Sequence, residues 1–244
     1  MTTARRNRRR GGAPALALRK AASSPDTLVR VEDVRGATPA AASKALSRLA
    51  EDGKLERVAK GVYHAPRKTL LGLSKPSTAA MVGKTLKGKT RPTGATAANL
   101  LGLSTQVPAR PELVVFGSNL PTHASGVRVH LRRGAKPHPL PDMEGALLEF
   151  LRDRGAYAET DGHETAARLT RLLKSDLSET RLRRLRDVAE DEPPRVRAAL
   201  GALFECAGLA KSLWQPLKES LNPLTKFDFG LLGDLPNAMM WQAR

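Results

Sequence analysis

Cysteine is nearly missing from this sequence, with Cys206 alone among 244 residues. One thiol makes no internal disulfide and no thiolate cluster, which excludes a disulfide scaffold and a cysteine-ligated metal centre. The expected setting is a reducing cytoplasm, with Cys206 in the core because it falls on an apolar helical stripe. Aromatic residues are scarce too, at 4%. A core built from Leu, Val and Ala favours helices over an all-β sandwich, so the expected fold class is α+β and helix-rich. No apolar run approaches the roughly 20 residues needed to span a bilayer, and "APALAL" near the start is too short for an export signal and ends in Arg19-Lys20. Acidic residues are the third shortage, 24 against 41 Lys plus Arg, for a formal charge of +17. A field of that sign and size attracts polyanions, and nucleic acid is the default partner.

What is present divides into three parts. Residues 1–13 carry Arg5, Arg6, Arg8, Arg9 and Arg10 without an acid, then Gly11-Gly12, and read as a flexible basic arm. Such an arm is either a solvated tail or a contact along phosphates or a minor groove.

Residues 14–68 read as helix, short strand, short helix, long helix and hairpin. Leu16, Leu18 and Ala22 mark the first helix. Thr38 is a good N-cap and Pro39 a good first residue for the long helix, which runs to a stop at Gly53. Ala42, Ala45, Leu46 and Leu49 form its apolar stripe. Ser43, Lys44, Ser47 and Arg48 stay outside the stripe, and short polar and basic side chains on an exposed face suit a groove-entering helix. "KLERVAK" and "VYHAP", joined at Lys60-Gly61, form a basic hairpin with Lys54, Arg57 and Lys60. This order predicts a winged helix-turn-helix whose DNA-binding residues are Thr38, Ser43, Lys44, Ser47, Arg48, Lys54, Arg57 and Lys60. The alternative is a small α+β domain with a solvated basic face.

Residues 69–244 read as a mixed α/β domain with a helical end. "ELVVFGS" and "VRVHLRR" are two strands joined by a turn, followed by helices over 143–154, 162–174, 178–190 and 193–207. The stretch from Lys211 to Arg244 holds Trp214 and Trp241 with little periodicity, and its aromatics argue that it packs on the domain.

Several patterns suggest catalysis and fail on context. Gly83 to Thr90, "GKTLKGKT", matches the Walker A pattern. A phosphate-binding loop needs a buried strand before it and a helix after it; here "STAAMV" is helix-like and Pro92 follows within two residues. Pro25-Asp26 with Asp52-Gly53-Lys54 imitates a nuclease metal site, but the second pair ends the presumed recognition helix. The histidines His64, His123, His130, His138 and His163 never pair at metal-ligand spacing. Ser104 lacks a nucleophile elbow and reads as a turn or cap. No catalytic residue, cofactor or metal is therefore assigned.

At "RVAKGVYHAP" (57–66), "RPTGATAANLLGLSTQVPARPELVVFGS" (91–118) and "RAALGALFE" (197–205), the chain resembles the AbiEi family of antitoxins from type IV toxin–antitoxin systems. That resemblance implies a non-enzymatic, two-domain protein of the abortive-infection type. Its N-terminal winged helix would bind repeated operator sites in double-stranded DNA and repress its own operon. Its C-terminal domain would counteract a nucleotidyltransferase toxin, with direct contact between the two left open. Two other readings stand beside it: a winged-helix regulator with no toxin partner, and an enzyme acting on nucleic acid or nucleotides. The basic helix with Arg181, Arg183, Arg184 and Arg186 is either a solvated face or a second nucleic-acid surface.

Overall fold

In the computed structural model, residues 12–21, 28–70, 72–76, 78–86, 89–117 and 126–244 are described. The arginines of the expected arm, Pro25-Asp26, Lys87 and His123 lie outside them. The fold is α+β and dominated by helix, with sheets of two or three strands. Contacts group the chain into two units, Met1–Thr85 and Leu86–Arg244.

The first unit opens with α1 (Ala13–Ala21), whose buried face is Ala17 and Ala21. Leu16 is half-buried and Leu18 exposed, so the stripe expected on the leucines is displaced onto the alanines. Small residues let α1 lie close against α2 (Pro39–Glu51). Between them, β1 (Leu28–Arg30) runs into a 3-10 turn at Val31–Asp33. Thr38 caps α2 as expected: Ala41 N donates to its Oγ1 at 3.3 Å, and Pro39 occupies the first turn, where no N–H is needed. Strands β2 (Glu56–Ala59) and β3 (Val62–His64) follow, and the antiparallel sheet has the order β1-β3-β2. Val29, Ala45, Leu46, Leu49, Leu55 and Tyr63 meet in the core.

Two further elements complete this unit. A small hairpin, β4 (Lys68–Thr69) with β5 (Gly72–Leu73), was not expected from the sequence. Helix α3 (Thr78–Thr85) packs against β1, β2 and β3. Its end is tied down by Lys84, whose Nζ lies 2.7 Å from Asp33 Oδ2 and whose carbonyl accepts from Arg30 Nη1 at 2.8 Å.

The second unit holds a three-stranded sheet, β6 (Thr90–Pro92), β7 (Glu112–Phe116) and β8 (Arg128–Arg132), with β7 central. Every residue of β7 is buried: Leu113 to Phe116 is the apolar run expected of a central strand, and Glu112 is buried beside it. Strand β6 was missed because three residues offer no alternation to read. β7 and β8 pair in parallel, not as the two turn-joined strands expected. Helix α4 (Gly94–Leu100) begins at Gly94 with φ +56°, and a Cβ there would sit 3.0 Å from Glu112 Oε2. Only glycine combines that backbone with that approach.

The helices α5 (Asp142–Arg152), α6 (Gly162–Ser175), α7 (Glu179–Ala189) and α8 (Pro194–Cys206) match their expected ranges closely. The tail contains a helix, α9 (Lys211–Glu219), that local periodicity does not mark, because Pro216 and the short length obscure its period. Trp241 is fully buried, with Nε1 donating to Glu205 Oε2 at 2.6 Å, and it fills the space over Gly201, where a Cβ would lie 2.2 Å from the indole. Cys206 is exposed, contrary to expectation: it is the last residue of α8, beyond the run of buried positions that ends at Phe204.

Candidate nucleic-acid interface

Helix α2 buries Ala42, Ala45, Leu46 and Leu49 and leaves Thr38, Ser43, Lys44 and Arg48 exposed. Lys44 and Arg48, four residues apart, share one side of the helix and Ser43 lies further round its solvent side, whereas Thr38, the N-cap, sits at the helix start in line with the buried stripe. Ser47 differs: it is half-buried, and its Oγ lies 3.1 Å from Tyr63 Oη on β3. The hydroxyl expected to face a groove is partly engaged by its own fold. Thr38 is likewise engaged as the cap.

The hairpin places Lys54, Arg57 and Lys60 in solvent. Arg57 stands opposite Tyr63 just before an irregularity in the β2–β3 register, which re-aims the strand towards the Lys60 turn. Ser47, Arg57 and Tyr63 line one open cavity of about 460 Å³ together with Leu55, Glu51 and Glu56. Tyr63 was missed among the site residues because it reads as one aromatic in a short strand. Its alternation with Val62 and His64 gives no hint of a partner sixteen positions away.

The positive field here is not uniform. Glu51, Asp52 and Glu56 are exposed on the same part of the unit, and Lys54 Nζ lies 3.6 Å from Asp52 Oδ2. Lys54 is therefore partly neutralised, whereas Lys44, Arg48, Arg57 and Lys60 have no such pairing described. Acidic groups beside basic ones restrict where a phosphate can sit and so favour one docking register. Behind α2, Asp33 is held below its ordinary value. Burial alone would raise it, but hydrogen bonds from Lys84 and from Arg30 N, with the Lys84 and Lys20 charges, outweigh that.

The other sequence candidates take structural places. "GKTLKGKT" runs from helix α3 to strand β6, the reverse of the strand-to-helix order that aims backbone N–H groups at phosphates. Asp52 and Gly53 close α2 and lie on no strand. Gln106 N donates to Ser104 Oγ at 3.1 Å, making Ser104 a turn residue. His130 faces Glu112 at 3.0 Å and His138 faces Asp191 at 2.6 Å. Among the described residues, no three or more His, Cys, Asp or Glu side chains converge as metal ligands would.

The arginines of α7 are turned to internal use. Arg181 makes a two-pronged pair with buried Glu144, both arms at 2.7 Å. Arg183 pairs with Glu179, Arg184 donates to the Pro139 carbonyl, and Arg186 engages Asp187 and the Ser212 carbonyl. A larger network centres on Arg91, only 1% exposed, which donates to Glu192 at 2.6 Å and Glu149 at 3.3 Å. Arg132 holds Glu149 by two bonds of 2.7 Å, and Arg152 pairs with Glu192. The guanidinium carbons of Arg91 and Arg132 lie 4.8 and 5.4 Å from the Phe116 ring centroid. No helix among the described residues is long and apolar enough to cross a membrane.

Comparison with known proteins adds a family and a structural neighbour. Residues 20–129 match a protein family described as "Family of unknown function (DUF6088)". No curated protein matches the chain. The crystal structure of the RV2827C protein from Mycobacterium tuberculosis is similar at 19% identity, with a TM-score of 0.44, over 96% of this chain and 94% of that one.

Proposed function

We propose that the chain is a cytoplasmic, non-enzymatic DNA-binding antitoxin of the AbiEi type. Its first unit serves as a winged helix that represses its own operon, and its second counteracts a nucleotidyltransferase toxin. The observation that carries the DNA half is the exposed Ser43-Lys44-Arg48 face of α2 beside a sheet of order β1-β3-β2. In this reading α2 enters the major groove, and the 3-10 turn at Val31–Asp33 stands where the preceding helix of the motif would. Arg57 and Lys60 hold flanking phosphates. The antitoxin half rests on the sequence motifs at 57–66, 91–118 and 197–205.

The test of the first half is fluorescence anisotropy with duplex DNA taken from immediately upstream of the gene. A Lys44→Ala, Arg48→Ala double variant should bind at least about tenfold more weakly, since one good base contact is worth roughly 1–3 kcal/mol. Parental affinity across salt would remove the α2 assignment. For the second half, an adjacent nucleotidyltransferase gene should be toxic alone and tolerated with this one. Absence of rescue leaves the stand-alone regulator as the better reading.

A further inference from the structure

The β4–β5 hairpin has a tip that its own fold does not use. Thr69 pairs with Gly72, and the two residues between them in sequence are both leucine. Tight hairpins ordinarily place Asn, Asp or Gly there, which favour the backbone turn and water alike. Leu70 is instead 107% exposed and Leu73 on the following strand 65% exposed, and neither joins the core of the unit. The stem is nonetheless well made. Arg67 N donates to Ser74 Oγ at 2.7 Å, Ser74 N to Arg67 O at 2.9 Å, and Thr69 Oγ1 to Gly72 O at 2.8 Å. A defined stem carrying Leu70 in full solvent departs from folding rules in the manner of a functional site.

Charge identifies the partner class. Arg67, Lys68 and Lys75 flank the tip and are exposed. Between Glu56 and Glu112 the sequence has ten Lys or Arg and no acidic residue. An apolar wedge flanked by Arg67, Lys68 and Lys75 has the chemistry that unstacks a base step from the minor groove while its neighbours hold phosphates. We infer that the β4–β5 hairpin is a second DNA-contacting element, with Leu70 inserting at a base step and Arg67, Lys68 and Lys75 on the adjacent backbone, so that the bound DNA is bent. This rests on the DNA-binding reading and adds an element to it. An anionic membrane surface is the competing occupant of a leucine tip ringed by cations.

The experiment uses the full chain and a roughly 30-base-pair duplex, from the upstream segment it protects, labelled with donor and acceptor dyes at its ends. The parent should bring the ends together. A Leu70→Ser, Leu73→Ser variant, whose substitutions touch only solvated side chains, should lose the bend and at least tenfold in affinity at unchanged salt slope. An Arg67→Ala, Lys68→Ala variant should lower that slope by about two. Parental bending and affinity in the leucine variant overturn the inference and leave the α2 reading intact. Failure of the parent to bind any duplex overturns both. Co-sedimentation with phosphatidylserine vesicles that disappears in the leucine variant, with DNA bending retained, assigns the tip to a membrane and overturns it as well.

Discussion

The Ser47–Tyr63 pair and Cys206 are the two places where a single side chain behaves unlike its position in the sequence. Ser47 and Cys206 both lie on helices whose apolar stripes are plain, yet a residue at a stripe's edge or at its end can fall to either side, and only the neighbouring elements decide which. Tyr63→Phe should cost about 0.5–1.5 kcal/mol in a urea titration, the value of one partly buried hydrogen bond. A double-mutant cycle with Ser47→Ala should return most of that as coupling, and additive losses would mean that the bond does not form. Cys206, exposed at the end of α8, should react with one equivalent of a chromogenic disulfide reagent in the native protein at nearly the rate of the unfolded chain. A lag until denaturant is added would return it to the core.

At the scale of elements, α3 and the sheet of the second unit are held by charges drawn from distant segments. Asp33 anchors α3 through Lys84, and its carboxyl is lowered from 3.8 in the folded protein. A lowered carboxyl stabilises the fold above its unfolded value, and that stability is lost as pH falls through the lowered one. The parent should therefore lose stability on acidification below 3.8 more steeply than Asp33→Asn, as read by chemical denaturation at a series of pH values. Equal slopes would show that Asp33 contributes nothing to that loss. Glu149, wholly buried between Arg91 and Arg132, poses the opposite case of an ion whose loss strands its partners. Glu149→Ala should cost about 3–5 kcal/mol, whereas Glu179→Ala, which breaks the exposed pair with Arg183, should cost under about 1 kcal/mol. Comparable losses in the two would deny the network its role. None of this network was legible beforehand, because Arg91 meets Glu149 and Glu192 across 58 and 101 positions. Helices α5 to α8 were legible because each carries its stripe and its terminators within its own residues.

For the whole molecule, the formal charge of +17 overstates the surface available to a polyanion. The arginines of α7 and of the Arg91 network pair with carboxylates and carbonyls of the chain itself, some buried and some exposed, so the cations without such pairs are concentrated elsewhere. Salt dependence of DNA binding separates these populations, since each phosphate neutralised contributes about 0.9 to the slope of log affinity against log salt. Arg183→Ala with Arg184→Ala should leave the slope unchanged, while Arg57→Ala with Lys60→Ala should lower it by about two. A reversed ranking would place the nucleic-acid surface on α7.

The amino-acid sequence by itself determined the helix-rich α+β class, the cap and stop of α2, the ranges of four later helices and the basic balance of the whole. Each of these is set by neighbours within one or two turns of chain, where periodicity, capping and composition act directly. Only the tertiary structure decided that β7 and β8 run parallel, that Ser47 turns towards Tyr63, and which arginines are consumed. Strand direction, side-chain burial and ion pairing depend on groups far apart along the chain, and no local pattern records which of them will meet.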